Sequence, residues 1–348
     1  MIYKGEKEFI SYIRRKHSKD LIESSDVSRA FGEDCAVLKG KRKNHILLSC
    51  DDFIEGRHYQ NEYFKLRDVG RKALLINISD IISMGGVPLY YLVSLLIPKS
   101  MEKEQLSQIY KGFSDIERDY QLQLIGGNTE VYSGPLAIGI TIIGEKINKA
   151  GFYRSAAKIG DKIFITNNVG YASLGFSLFK MGWRKFLNTY LDCKGNKEKN
   201  PIAKNALKEF LLPSIPFHLC KILAQHNIVN AAIDISDGLV SDLYEICKES
   251  NVGAVLYKNK LPINRRTKLF CKKININFEQ LFLSGGEDYQ LLFTVDEKKI
   301  KFLNDIAKEY KIYCIGEIIK EKENKVKLIE QNKEIVLSEK LGFDQFLY

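Results

Sequence analysis

Asp234-Ile235-Ser236-Asp237-Gly238-Leu239 follows directly on the apolar residues 228–233, and the reading of this junction decides the fold. An apolar run of that length bounded by turn residues reads as a buried strand, and Leu239, Leu243 and Ile246 then recur along one helix face. The junction is therefore a strand-to-helix turn, where backbone N–H groups lack intrahelical partners and polar side chains converge. Packing does not require two aspartates in such a place. A capped helix start, with Ser236 or Asp237 as N-cap of an Asx turn, explains these residues as well as a ligand site does. The rest of the chain must separate the two.

With 348 residues the chain exceeds the usual size of one domain, and two of ordinary size are expected. Apolar residues make up 45%, enough for real cores. The formal charge of +10 sits with lysines punctuating residues 39–43, 194–199, 258–273 and 320–327. None of these stretches interleaves aromatic residues with arginine, so a solvated surface is expected and no nucleic acid as partner. A general attraction for polyanions such as nucleotides remains. Cys35, Cys50, Cys193, Cys220, Cys247, Cys271 and Cys314 are scattered without a Cys-x-x-Cys pair, which fits reduced thiols in the cytoplasm. Residues 1–16 carry no signal-peptide pattern. Residues 74–97 are apolar over a membrane-like length, but Asn77, Asp80, Gly85, Gly86 and Pro88 interrupt them. A helix, a turn and a buried strand are expected there, and no membrane span.

In chain order, an amphipathic helix is expected around Phe9, Ile10 and Ile13, then a hairpin of AVL and HILLSC whose second strand ends at Ser49-Cys50-Asp51-Asp52. Val69, Ala73, Ile76 and Asp80, with Leu74, Leu75, Ile78 and Ile81 on other faces, predict a helix apolar nearly all round and hence buried. An isolated ionised Asp80 in it would cost several kcal/mol, so it must be paired, cap backbone or bind a cation. Asn77 shares its face. A strand over 89–97, a helix over 103–120 and a strand over 123–125 follow, the last entering a turn Gly126-Gly127-Asn128-Thr129-Glu130. After a strand over 136–143 the pattern resets near 148–160, where the domain boundary is expected. The second half holds a strand over 162–166, a helix over 172–180, the opening turn, and a glycine turn SGGEDY feeding a strand over 290–295.

Asp34, Asp51, Asp52, Asp80, Asp234, Asp237 and Glu287 thus fall at strand ends, at turns or on a buried helix, several beside glycines that admit a ligand to the backbone. Brought together they would repel strongly, and hard divalent cations with substrate phosphates suit such an oxygen-rich set. No Walker A sequence, GxGxxG or protein-kinase catalytic loop is present.

The segments GEDCAVL, LLSCDDFIEGRHY, INISDIISMGG, LIGGNTE, YRSAAKIGD, DISDGL, SGGEDYQLLF and GFDQF carry a resemblance. In this order and rough spacing they resemble the thiamine-monophosphate kinase family, of the aminoimidazole-ribonucleotide-synthetase-like superfamily, over nearly the whole chain. The resemblance implies an α/β (α+β) protein of two-domain PurM-like architecture, with mixed sheets and flanking helices in domains 1–148 and 149–348. It implies a cytoplasmic homodimer joined through the N-terminal domains, with the apolar strand 89–96 suited to the interface. It also implies ATP-dependent phosphorylation of thiamine monophosphate to thiamine diphosphate with several Mg2+ ions. Residue by residue, Asp34, Ser49, Cys50, Asp51, Asp80, Asn128, Asp234 and Asp237 would hold metal. Gly126, Gly127, Arg154 and Ser236 would contact ATP, while His58, Glu287 and Phe343 would face thiamine monophosphate. Asp237 and Arg154 would carry the transfer itself.

The chain departs from the family pattern at four positions. Glu33 precedes Asp34 where an Asp is usual. Cys50 replaces a Thr and leaves only its backbone carbonyl as a hard ligand. Asn128 replaces an Asp, supplying oxygen without charge and implying a weaker metal. Phe343 stands where Tyr or Trp is frequent. The Asn128 change makes a catalytically impaired nucleotide-binding homologue the alternative expectation. Another ATP-dependent enzyme of the superfamily is disfavoured: no Cys precedes Phe31, as selenophosphate synthetases commonly have, and no Cys stands in the terminal DQFLY, unlike the tail of the hydrogenase-maturation enzyme.

Overall fold

The computed structural model describes residues 27–29, 33–40, 45–183, 200–321, 323–331, 333–339 and 341–342, and elements are numbered over these alone. The helix expected around Phe9 and the residue Phe343 lie outside them. Short strands β1 (Val27–Arg29) and β2 (Ala36–Lys39) precede β3 (His45–Ile54). Helix α1 (Leu66–Ser83), strand β4 (Gly86–Pro98), helix α2 (Lys103–Tyr120) and strands β5 (Gln123–Tyr132) and β6 (Ala137–Lys146) complete the first half. Its sheet runs β1-β2-β3-β6-β4-β5, antiparallel except where β5 joins β4. Strand β6 shows why one face is inside: Ile138, Ile140 and Ile142 are fully buried at alternate positions. Helix α1 packs against β3, β4 and β6 and is buried on nearly every side, as its apolar residues require.

The second half carries β7 (Lys162–Thr166), α3 (Tyr171–Lys180), α4 (Pro201–Leu211), α5 (Phe217–Gln225), β8 (Val229–Asp234) and α6 (Leu239–Ser250). It continues through β9 (Gly253–Tyr257), α7 (Arg265–Lys273), α8 (Phe278–Ser284), β10 (Leu291–Val295), α9 (Ile300–Ile306), β11 (Ile312–Ile319), β12 (Val326–Glu330) and β13 (Lys333–Val336). The sheet order is β13-β12-β9-β11-β7-β10-β8, with β9 and β12 parallel. Both halves are therefore mixed sheets with flanking helices, and α1 reaches across from the first to touch β8 of the second.

Three local expectations change. Strand β3 does not end at Asp51-Asp52, because β6 pairs along it from Ile46↔Glu145 to Ile54↔Ala137 and keeps it extended. Gly86 and Pro88 do not break the chain but lie in β4, where a register shift between Pro88 and Tyr90 accommodates the proline. The segment Gly126-Gly127-Asn128 is no turn: β5 runs through it, paired to β4 as far as Pro98↔Tyr132. A side chain at Gly127 could not fit there, since its Cβ would lie 1.9 Å from the Val93 carbonyl oxygen. Residues 74–97 divide between α1 and β4, and no described helix is long and apolar enough to cross a membrane.

Helices α1 and α2 touch backbone to backbone. A Cβ on Gly112 would sit 2.1 Å from the Arg67 carbonyl oxygen, and one on Gly70 2.2 Å from that of Ile109. Gly112→Ala should therefore push the helices apart and destabilise by about 1–3 kcal/mol. Thermal denaturation followed by circular dichroism would show a Tm lowered by several degrees, whereas an unchanged Tm would contradict this close crossing.

Candidate active site

The alternation of β3 sorts its polar residues onto two faces. Ser49 and Asp51 pair with Ile142 and Ile140, on the face turned to α1, where Ser49 is half-buried and Asp51 lies at its open margin. Cys50 and Asp52 pair with Thr141 and Gly139, on the open side. Thr141 Oγ1 donates to Cys50 Sγ at 3.5 Å, so the thiol is turned away from Asp51. The row Asp52, Gly139, Ser94 and Asn128 crosses β3, β6, β4 and β5 on this same open side. Within one chain, the side chains of Cys50 and Asn128 are thus not brought to the other proposed metal ligands.

Asp34, Ser49, Asp51, Asp80 and Asp234 do meet, and α1 arranges them, while Asp237 stands at their edge beside Asp242. Ser49 Oγ donates to Asp80 Oδ2 at 2.5 Å, and Ser79 Oγ to Asp234 Oδ2 at 2.6 Å. Ser83 Oγ bonds Asp34 Oδ2 at 2.5 Å. Asn77 Oδ1 accepts from the Asp51 backbone N–H at 3.2 Å, fixing β3 against the helix. Arg154, between the two halves, donates from Nε to Asp34 Oδ1 at 3.0 Å and bonds the same oxygen through Nη2. Its backbone N–H and the Ser155 hydroxyl both donate to Glu33, at 2.5 and 2.9 Å. The Glu33 position thus docks the Arg154 segment, a role its place beside Asp34 did not reveal.

The DISDGL turn has the expected strand-to-helix form, ending β8 and opening α6. Its N-cap is Gly238, so neither Ser236 nor Asp237 fills the capping position. Asp242, one turn into α6, reaches back instead, accepting from the N–H groups of Ser236 at 3.1 Å and Gly238 at 3.0 Å. The SGGEDY segment lies alongside, with the Glu287 N–H on the Ser236 carbonyl and the Tyr289 N–H on that of Ile235, both at 2.8 Å. Gly342 packs against Ser241 and the Asp237 carbonyl.

Crowding of like charges shows in the titration of these groups. Burial raises the Asp80 carboxyl well above its ordinary range, and Asp51, Asp234 and Asp34 add to the rise. Asp234 is pushed up to about 7 by burial and then by Asp34. Asp51, although exposed, is raised by the surrounding protein first and by Asp52 and Asp34 after it. Asp242 is raised by burial, then by Asp237 and Asp234. Burial pulls against the charge of Arg154, but Asp34 outweighs it and holds the guanidinium ionised. Asp34, Asp51, Asp80, Asp234, Asp237 and Asp242 therefore share one electrostatic neighbourhood. As placed, no three carboxylate, His or Cys side chains among the described residues stand close enough to grip a single metal ion. Serine hydroxyls and Arg154 hold several of the carboxylates instead.

At the edge of this cluster, His58 Nδ1 accepts the Ile54 N–H at 2.9 Å, which places the ring proton on Nε2. Its ring stacks on Phe53 at 5.9 Å. Burial lowers the His58 pKa while nearby Glu287 opposes the shift. Glu287 itself meets Lys72 of α1. Sequence reasoning passed over Lys72, Ser79, Ser83 and Asp242. The signal for the serines was available, since polar residues recur at i and i+4 in a helix with no exposed face.

These raised pKa values link stability to pH. Folded Asp234, Asp80 and Asp242 hold protons at pH values where the unfolded chain has lost them, so the metal-free fold weakens as pH rises from about 4 through about 7. Thermal melts of metal-free protein should give a lower Tm at about pH 8 than at about pH 5, and Asp80→Asn should flatten the difference. A Tm that rises with pH would contradict the clustering.

Comparison with known proteins follows the same lines. The AIR synthase related protein N-terminal domain matches residues 32–146, and the corresponding C-terminal domain matches residues 158–329. A thiamine-monophosphate kinase of Buchnera aphidicola subsp. Schizaphis graminum is 36% identical over 346 residues, 99% of each chain. That of Bacillus subtilis is 30% identical over 335 residues, covering 93% of this chain and 95% of the relative. The solved structure of AaThiL complexed with AMPPCP and TMP matches with a TM-score of 0.80 at 26% identity over 99% of both chains. With both halves of the fold and nearly its full length so matched, the chain belongs to the thiamine-monophosphate kinase family of the AIR synthase related proteins.

Proposed function

We propose that this chain transfers the terminal phosphoryl group of ATP to thiamine monophosphate, giving thiamine diphosphate, in the cleft where α1 draws both halves together. The observation that carries this reading is the carboxylate cluster of Asp34, Asp51, Asp80 and Asp234, with Asp237 at its rim. Its donors are all oxygen, its carboxylates outnumber the guanidinium that reaches it, and burial together with neighbouring carboxylates raises the pKa values of Asp51, Asp80 and Asp234. Such a donor set fits Mg2+, held by Asp34, Ser49, Asp51, Asp80, Asp234 and Asp237, with Cys50 able to offer only its carbonyl. When bound, Mg2+ would supply charge neutralisation for the transferring phosphoryl group.

The chain's own residues do the positioning. Arg154 stays charged beside Asp34, where it can screen ATP phosphates, and Ser236 offers its hydroxyl from the turn that Asp242 braces. His58, Glu287 and Phe343 would face the acceptor. That acceptor is a phosphate monoester with a second pKa of about 6, so it arrives largely ionised and needs no general base. Direct in-line transfer by alignment and electrostatics then suffices.

The open face of the first sheet supports the dimer. Tyr90, Leu92 and Leu96 stand exposed on it at alternate positions of β4, with Ile125 beside them on β5. A second copy covering this face would enclose Gly126, Asn128 and Asp52, so the ATP contacts assigned to Gly126 and Gly127 would be made at the subunit boundary. Asn128 then takes no charge from the cluster within its own chain, which favours an active enzyme over an impaired homologue.

Incubation with ATP, Mg2+ and thiamine monophosphate should yield thiamine diphosphate, with free thiamine as a poor acceptor in the parallel control. Asp237→Asn should lower kcat on the order of a hundredfold or more with little change in Tm; wild-type turnover in that variant would overturn the assignment. Light scattering should report twice the mass of one chain, and Leu92→Glu should shift it towards the monomer. A clean wild-type monomer would remove the dimer from this account.

A further inference from the structure

Helix α1 carries one cation into the second half of the molecule. Lys72 is 0% exposed, and its Nζ donates to Glu287 Oε2 and to the Phe210 carbonyl oxygen, each at 2.8 Å. The ammonium also lies 4.7 Å from the ring centre of Phe210 and 5.3 Å from that of Phe64. A fully buried ammonium persists only where charge, hydrogen bonds and aromatic faces replace its water, and here all three are present.

Its partner is held in an unusual way. Glu287 sits at φ +63° and Tyr289 at φ +49°, left-handed backbone that non-glycine residues rarely adopt unless their surroundings impose it. The Glu287 N–H is fixed on the Ser236 carbonyl of the DISDGL turn. Its side chain remains 34% exposed, and only Oε2 is engaged by the described residues. The carboxylate is therefore pinned by one oxygen, and its other oxygen has no partner among the described residues.

We propose that Lys72 is a positioning residue for the acceptor: it anchors Glu287 Oε2 so that Oε1 alone meets the cationic thiamine head of thiamine monophosphate. The inference rests on the reading that Glu287 faces that substrate. Lys72 lies seven residues before Ser79, about 10 Å along the same helix, and Ser79 holds Asp234. Helix α1 thus fixes the head site and the phosphate site of one acceptor on a single rigid element. Lys72 bonds neither Gly126, Gly127, Arg154 or Ser236 nor the aspartates of the cluster, so its loss acts on one substrate and spares the other.

Steady-state kinetics of Lys72→Gln, Lys72→Arg, Glu287→Gln and the Lys72→Gln/Glu287→Gln double variant, each checked by thermal melt, test this. Lys72→Gln should raise KM for thiamine monophosphate about tenfold and leave KM for ATP within about twofold, and the double variant should be no worse than Glu287→Gln alone. Lys72→Arg should recover part of the loss. Multiplicative effects in the double variant, or a KM for ATP raised as much as that for the acceptor, would make Lys72 merely structural and overturn the proposal. If Glu287→Gln binds thiamine monophosphate as wild type does, the reading of Glu287 is wrong and the role of Lys72 falls with it. Should Lys72→Gln fail to fold, Lys72→Arg decides alone: an acceptor-only rise in KM upholds the proposal, and an equal rise for ATP overturns it.

Discussion

A helix buried on nearly every side cannot leave an inward polar side chain without a partner, and α1 carries several. Lys72, Asn77, Ser79, Asp80 and Ser83 lie on it, and each finds its partner outside the helix: Glu287, Asp51, Asp234, Ser49 and Asp34. An unpaired buried donor or acceptor costs about 1–3 kcal/mol, more if charged. The two sheets and the segment around Asp34 are thereby obliged to bring their polar residues to one helix. The cleft follows from that obligation, because the partners converge from β3, from β8 and from the segment around Asp34.

The convergence has an electrostatic cost that the protein only partly offsets. Serine hydroxyls donate to Asp34, Asp80 and Asp234, and Arg154 supplies one full positive charge. Hydroxyls satisfy lone pairs but cancel no charge, so burial and then the neighbouring carboxylates leave Asp80 and Asp234 with raised pKa values. A site left in this condition is poised to take up cations and phosphates together. The same preorganisation that suits phosphoryl transfer therefore works against the stability of the protein alone.

Much of this was legible in the sequence because it was local. The strand, turn and helix at DISDGL follow from periodicity, and Asp80 declared itself as a carboxylate in a helix with no polar face. What could not be read depended on partners distant in the chain. Ser79 and Lys72 look ordinary until Asp234 and Glu287, 155 and 215 residues away, are seen beside them. The extent of β3 and β5 was misjudged for a related reason. Asp51-Asp52 and Gly126-Gly127 are weak strand formers, and only the ladders to β6 and β4 hold them extended. The capping alternative for Ser236 and Asp237 failed because Asp242 satisfies the free N–H groups from within the helix.

The parity of β3 sets a limit on how this family can vary in length. Pairing with β6 from Ile46 to Ile54 leaves no bulge to absorb an added or missing residue. A single deletion between His45 and Ser49 would turn the strand over relative to its neighbours, sending Ser49 and Asp51 outward and Cys50 and Asp52 against α1. The number of residues between Lys39 and His45 faces no such rule, because changing it leaves the β3 ladder in register. Insertions and deletions among relatives should accordingly accumulate before His45 and be purged after it, so that the spacing from His45 to Ile54 acts as a heritable ruler for the cleft.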